Sequence, residues 1–295
     1  MEHNQFSFDQ TMREMFEYSD PSVPLFVWTG DFNTFVDKTT SCHWHHEFEY
    51  GVLLSGELDY YIDGQYIRLK AGELIFINSN ALHIATQAPA CDNAVLFTIS
   101  FLPSLFTGGK DGTMFRNFFQ PIIKSDIMGF IINNKADVGV EITKSLKQIY
   151  ALNRHSHGYE LHCVEIISRV WRLTLRYIEK QNKVGTKSRT NHKLGTKAKD
   201  ILSYIHNHYS ENICIQDIAR HTGISRSECF RSFQHFVNKK PIEYLTEYRL
   251  SHAANMLRES DKSVVQIATD CGFASSSYFG KLFKEKYGVS PSKYR

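Results

Sequence analysis

Four side chains in the first third of the chain have the types and spacing of a metal-ligand set. They lie in two patterns, His43-x-His45-x3-Glu49-x6-Gly56 and Gly72-x5-Asn78-x-Asn80-x2-His83. On an extended strand His43, His45 and Glu49 share one face, because successive side chains alternate, and His83 can return across from them. Two or three imidazoles with one carboxylate form a donor set for zinc, iron, nickel or manganese. The same groups can equally line a polar pocket for a small molecule. His46 falls on the opposite face, and both His46 and Glu47 are expected in solvent.

A second group of residues suits a polyanion. Ile218-Ala219-x3-Gly223 returns 49 residues later as Ile267-Ala268-x3-Gly272, and Phe233 and Pro241 return 50 residues later as Phe283 and Pro291. Each copy reads as a short helix ended by glycine, a turn, and a second helix opening on Ser or Ala, which is the order of a helix-turn-helix. Gly223 and Gly272 supply the positive φ of the turn, and Ser225-x-x-Glu228 has capping-box spacing. Ala219 and Ala268 are small enough for the helices to cross closely. In the first copy Cys229, Phe233 and Phe236 recur at i, i+4 and i+7 and face inward. That leaves Arg226, Ser227, Phe230, Arg231 and Gln234 outside. In the second copy Phe279, Leu282 and Phe283 point inward, with Ser276, Ser277, Gly280, Lys281 and Lys284 outside.

The elements that must hold these groups follow from periodicity. Residues 22–102 contain short aromatic and β-branched runs (PLFVWTG, NTFVDKTT, FEYGVLL, ELDYYID, ELIFIN, AVLFTISF) separated by Gly, Asn or Asp, the pattern of a β-barrel or sandwich. Asp63-Gly64 marks a tight hairpin. Over 138–181 the period becomes helical, with Val140, Leu146, Ile149, Tyr150, then Val164, Ile167, Val170, Trp171, Leu175 and Ile178 recurring. Such an apolar stripe serves either a dimer surface or packing on the barrel. Residues 182–197 lack apolar periodicity and read as a basic flexible linker. From 198 to 295 the period is helical throughout.

Charge divides along the same boundaries. Residues 1–182 hold 15 basic and 21 acidic side chains, 183–197 five basic and none acidic, and 198–295 fourteen basic and ten acidic. A basic C-terminal part beside an acidic N-terminal part points to a polyanion partner at the C-terminal end. The 42% hydrophobic and 22% charged composition belongs to globular proteins and excludes a disordered chain. The longest uncharged apolar stretch, Ala94–Leu102, is far short of the ~20 residues of a spanning helix. The opening MEHNQFSFDQ lacks the basic-then-apolar order of a signal peptide. Six scattered cysteines without a C-x-x-C pair suit reduced thiols. A cytoplasmic protein without membrane association is expected.

The segments IQDIARHTGISRSECFRSF, PIEYLTEYRLSHAANMLRES and VVQIATDCGFASSSYFGKLFKEKYGVSPSKYR resemble the DNA-binding domain of the AraC/XylS family of bacterial transcription regulators. The first copy departs at its end, with Asn238 where the family has glycine; asparagine tolerates the left-handed conformation. The resemblance implies that helices at about 225–237 and 275–287 enter successive major-groove segments. It places Ser227, Phe230 and Arg231, then Ser277, Tyr278 and Lys281, against base edges. Arg231 is the strongest candidate for a bidentate guanine contact. Lys239, Lys240, Lys284 and Lys286 are expected on phosphates. The histidine patterns resemble the two motifs of the cupin barrel, with Asn78 and Asn80 in place of that motif's proline and glycine and Gln87 in place of its closing asparagine.

The expected fold is therefore α+β and multidomain. A cupin-like effector-binding and dimerisation domain spans 20–181, with a barrel at 20–105 and helices at 138–181. The linker 182–197 follows, then an all-α DNA-binding domain at 198–295 with helix-turn-helix units at 215–237 and 264–287. The expected function is sequence-specific transcription regulation, controlled by a small molecule such as a sugar bound near His43, His45, Glu49 and His83. No enzyme activity and no cofactor are expected, with a divalent metal on those four residues as the open alternative. A metal-dependent cupin enzyme fused to DNA-binding helices is the competing reading. Double-stranded DNA, the effector and a second copy of the chain are expected partners, and RNA polymerase is a further candidate.

Overall fold

The structure is a computed structural model that describes residues 6–107, 112–132, 137–181 and 189–295, with 189–194 as backbone only. The chain forms two compact units. One runs from Arg13 to His192 with the stretch up to Ser7, and the other from Lys193 to Arg295 with Phe8–Met12.

The first unit contains strands β1 (Leu25–Asp31), β2 (Phe48–Ser55), β3 (Glu57–Ile62), β4 (Gln65–Lys70), β5 (Leu74–Ile77), β6 (His83–Gln87), β7 (Val95–Phe101) and β8 (Gly129–Ile132). They form two antiparallel sheets, ordered β1-β7-β2-β5-β8 and β4-β3-β6. Short helices α1 (Ser104–Thr107) and α2 (Gln120–Ile123) precede the long α3 (Asp137–Ala151) and α4 (Tyr159–Lys180).

β2 shows why its apolar run is unbroken. Phe48, Tyr50 and Val52 pack into a core with Phe76, Leu146, Ile167 and Trp171, so that face is covered by α3 and α4. Leu53, on the alternate face, joins Leu58, Tyr60 and Ile62 from β3 in a second core. The Phe48 and Trp171 rings lie 4.6 Å apart, and the Tyr50 and Thr174 hydroxyls are hydrogen-bonded at 2.7 Å. The helical stripe is thus spent on the sheet, while Val140, Tyr150 and Leu161 remain exposed. Because Glu49 alternates with Phe48 and Tyr50, it points away from the helices into the interior between the sheets.

One expectation fails in this unit, and one strand had no expectation attached to it. NTFVDKTT is not a strand; it forms two 3-10 turns, Phe32–Thr34 and Val36–Lys38, with Asp31 Oδ1 accepting from Asn33 N at 2.9 Å and Asp37 at φ 59°. The Asp side chain offers the backbone a local turn in place of a ladder. β8 is an added edge strand too short to show a period, and its Gly129 sits where a Cβ would meet Ile62 Cδ1 at 2.7 Å.

The second unit is all-helical: α5 (Arg189–His208), α6 (Ile215–Thr222), α7 (Arg226–Val237), α8 (Pro241–Glu259), α9 (Val264–Asp270), α10 (Ser276–Tyr287) and α11 (Pro291–Tyr294). The linker expected at 182–197 is corrected here. From Arg189 onward it is α5, whereas 182–188 lie outside the described residues. Ala198, Ile201, Leu202 and Ile205 are fully buried on one face of α5, and no proline interrupts the turns before them. Burial of that face therefore extends the helix into a polar stretch with no apolar pattern of its own.

Candidate functional site

In the second unit two helix pairs present two outward faces. α6 ends at Gly223 in the left-handed conformation (φ 65°), and the turn closes through Ile224 N to Ala219 O at 3.1 Å. α7 then starts on Ser225, whose Oγ accepts from Glu228 N at 3.2 Å, and ends at Asn238 with φ 58°. Asparagine thus takes up the glycine's left-handed cap. In the second pair Ser263 Oγ accepts from Gln266 N and Ser275 Oγ from Tyr278 N, each at 3.2 Å. Gly272 (φ 77°) is required twice over, because a Cβ would also strike Tyr209 O at 2.6 Å. Ala219 and Ala268 are buried where the helices cross.

Cys229, Phe233 and Phe236 in α7, and Phe279 and Phe283 in α10, are buried. Arg226, Ser227, Phe230, Arg231 and Gln234 are exposed together on α7, and Ser276, Ser277, Tyr278, Lys281 and Lys284 on α10. Leu282 and Gly280 are half-buried. Lys240 and Lys284 are exposed, and Lys286 Nζ lies 5.2 Å from the Tyr287 ring centre. Lys239 departs from its expected role on phosphate: it is half-buried and paired with Glu247 of α8.

In the first unit His43, His45 and His83 are buried, and each offers one ligand atom within 4.8 Å of the others. His43 does not lie in a strand. It is held opposite His83 by a backbone pair, His43 N to His83 O at 3.0 Å and His83 N to His43 O at 2.9 Å. Every Nδ1 faces a backbone carbonyl: His43 to Ser41 O at 2.7 Å, His45 to Glu47 O at 3.1 Å, His83 to Ala81 O at 3.0 Å. A carbonyl can only accept, so each Nδ1 carries its proton. In the neutral tautomer all three Nε2 atoms then offer a lone pair, the orientation that metal-binding histidines take from a backbone carbonyl.

Two carboxylates face those nitrogens. Glu49 Oε2 is 3.1 Å from His45 Nε2, and Glu14 Oε2 is 3.2 Å from His43 Nε2. Burial on its own would lower the His45 pKa, but the hydrogen bond and charge of Glu49, aided by Glu14 and Glu47, raise it to about 8. Lone pairs set against carboxylates require a proton or a cation between them. Atoms about 3.1 Å apart can both lie ~2.0–2.2 Å from one ion, so the residues fit a divalent metal. A cavity beside them is partly open to solvent, and Phe16, Phe26, Trp28, Thr40, Thr98 and Ser100 are among its lining residues.

The cupin-motif departures leave the turn intact. Asn80 adopts φ 64°, the conformation a glycine would supply, and Asn78 Nδ2 donates to Ile122 O and Ile127 O at 2.8 and 2.6 Å. Glu47 corrects the expectation of a solvated side chain. It is buried and accepts from the Tyr18 hydroxyl, because the N-terminal segment covers the face that a lone strand would expose. His46 is exposed, with its Nδ1 2.8 Å from Asn80 Oδ1.

Residues 218–295 match the helix-turn-helix domain family and residues 36–97 the cupin domain family. The chain is 24% identical over 293 residues to an uncharacterised helix-turn-helix-type transcriptional regulator, YdeC, of Bacillus subtilis, covering 98% of both chains. It is 23% identical over 261 residues to the melibiose operon regulatory protein of Escherichia coli K12, covering 86% of this chain and 82% of that one. The chain thus joins a cupin domain to an AraC-type helix-turn-helix domain, and the proteins it is similar to are AraC-family regulators. A solved AraC-type DNA-binding domain from Chromobacterium violaceum is 30% identical and aligns with 34% of this chain and 89% of that one, with a TM-score of 0.32.

The helical unit, which holds the AraC-type helix-turn-helix domain, is the DNA-binding part. The outward residues expected on α7 and α10 share their faces; of the four barrel residues expected together the three histidines meet, and Glu49 joins them through His45. Sequence reasoning missed Glu14, Phe16 and Tyr18. One signal for them exists: Met12, Glu14, Phe16 and Tyr18 are more buried than Arg13, Met15 and Glu17 as a group, with a carboxylate inside the apolar column of a period-two pattern. It also missed Arg249, whose guanidinium donates to Tyr209 O and Glu211 O at 2.6 Å each and anchors the chain between α5 and α6.

Proposed function

We propose that α7 and α10 are recognition helices that read successive major-groove segments of one duplex, and that a small molecule in the barrel cavity sets their affinity. The carrying observation is the duplicated geometry: two capped second helices, each burying its phenylalanines and exposing its polar face. Arg231 contacts guanine, Ser227, Phe230, Ser277, Tyr278 and Lys281 face other base edges, and Arg226, Gln234, Ser276 and Lys284 flank them. The protein works in the cytoplasm as a homodimer, with the outer sides of α3 and α4 in contact, and acts on RNA polymerase once bound. Light scattering of the full chain at micromolar concentration gives the dimer mass if this is right and the monomer mass if it is not.

The cavity wall of Phe26, Trp28, Thr98 and Ser100 offers stacking surfaces beside hydroxyls, which suits a polyhydroxylated molecule such as a sugar. A relative named for the melibiose operon supports that class. A divalent metal on His43, His45, Glu49 and His83 is a second reading, favoured by the three Nε2 lone pairs; it would supply positive charge and a fixed anchor there. The barrel on this account senses and does not catalyse. The test is selection from a random duplex pool by the full chain, with and without a panel of sugars. Two enriched blocks about one turn (~10 bp) apart, with enrichment changed by one sugar, support the reading. A single block, or no enrichment at low salt, contradicts it.

A further inference from the structure

Three histidines come together in the barrel and two carboxylates reach them, each at one histidine, and the cupin-type pattern accounts for four of these five groups. The fifth, Glu14, lies outside both motifs and reaches the cluster from an N-terminal segment. Its side chain is 5% exposed, against 4% for His43, and it faces His43 Nε2 at 3.2 Å. That spacing matches the one between Glu49 and His45 Nε2, 3.1 Å. The backbone of the segment fixes this placement: Glu14 N donates to Trp44 O at 2.9 Å, and Met15 N to Ser7 O at 2.8 Å. Phe16 follows, with its ring 5.4 Å from His45 and 4.8 Å from Phe26. Tyr18 then bonds Glu47.

We propose that Glu14 is a fifth protein ligand, so that a first-row divalent cation is enclosed by His43, His45, His83, Glu49 and Glu14 and ties residues 13–18 to the barrel. Three imidazoles and two carboxylates suit zinc, cobalt, manganese, nickel or iron. Catalytic sites keep a position open for water or substrate, and structural ones are closed by protein. Five protein ligands leave at most one position, so the ion anchors and senses. The wall of Phe26, Trp28, Thr98 and Ser100 stays available to an organic effector. This rests on reading the barrel as the sensing half of the regulator.

The test uses the full chain stripped with a chelator and titrated with Zn(II) against a chromophoric competitor. Trypsin cleavage after Arg13 is followed in parallel. Wild type should take up one ion per chain, and the ion should protect the Arg13–Glu14 bond. E14Q should bind roughly tenfold or more weakly and lose that protection, while E17Q, altered at an exposed position of the same segment, should behave as wild type. In Co(II)-loaded protein the visible spectrum should differ between wild type and E14Q, reporting a changed ligand set without reference to stability. Unchanged affinity, protection and spectrum in E14Q would remove Glu14 from the site. Failure of wild type and of H43A alike to bind Zn(II) would overturn the metal site altogether. DNA binding by the stripped protein separates either failure from failure of the regulator reading.

Discussion

The helical unit exposes its candidate side chains on two stiff helices, whereas the barrel unit buries its own among strands, turns and a segment whose Glu14 lies 29 residues before His43. The two arrangements suit different partners. A duplex is large and polyanionic, so it must be met by protruding polar faces held at a fixed separation, and capped helices over phenylalanine cores provide that. A small molecule or an ion must instead be taken out of water, and the burial of His43, His45 and His83 suits that. The difference teaches where rigidity comes from in each unit. Local capping and an i, i+4 core are enough for the helices, while the barrel site needs long-range contacts before it exists.

The sharpest way to break that comparison is to remove core from the helical unit alone. Phe233 is fully buried, its ring 5.4 Å from that of Tyr244. F233A should cost that unit about 3–5 kcal/mol, seen in calorimetry as loss of its transition and of DNA binding. Zn(II) uptake by the barrel should persist. Loss of both together would show that the units are not independent.

R231A tests the exposed face. It should cost about 1–3 kcal/mol of specific affinity and relax preference at one base pair, measured by competition binding, with no change in melting temperature. An unchanged sequence preference would take Arg231 out of the reading set.

Acid and base should separate the units by about 2 kcal/mol each. Burial, with the neighbouring His252, lowers the His206 pKa to about 3. Below pH 6.5 the unfolded chain takes up a proton that folded His206 refuses. The helical unit should therefore lose about 1.4 kcal/mol per pH unit, or about 2 kcal/mol between pH 7 and pH 5. His45, raised to about 8 by its carboxylates against the opposing effect of burial, has the opposite sign. Its stabilisation of the metal-free barrel is complete below pH 6.5 and lost as pH rises through 8, again about 2 kcal/mol. Calorimetry with chelator at pH 5, 7 and 9 should show one transition weakening in acid and the other in base. Both moving in the same direction would contradict these assignments.

The sequence was most legible where structure is local. The repeat placed both turns, both sets of buried phenylalanines and the outward faces of α7 and α10, because caps and helical period act within a few residues. His43, His45, Glu49 and His83 were legible as a set through motif spacing. Glu14 was not, since the period-two pattern around it marks a buried carboxylate without naming a partner 29 residues away. The polar start of α5 was equally hidden, because its helix is fixed by burial of Ile201, Leu202 and Ile205 further along. Lys239 was misread for a similar reason: its partner Glu247 lies on the next helix.

The central claim is that one chain carries two recognition helices acting on one face of DNA. Its most direct test is to take the selected duplex and insert half a helical turn (~5 bp) between the two blocks. The full-length protein should then bind with roughly the affinity of a duplex keeping one block alone, and a full-turn insertion (~10 bp) should not rescue it, because both helices belong to one compact unit. Undiminished affinity for the half-turn duplex would contradict the account.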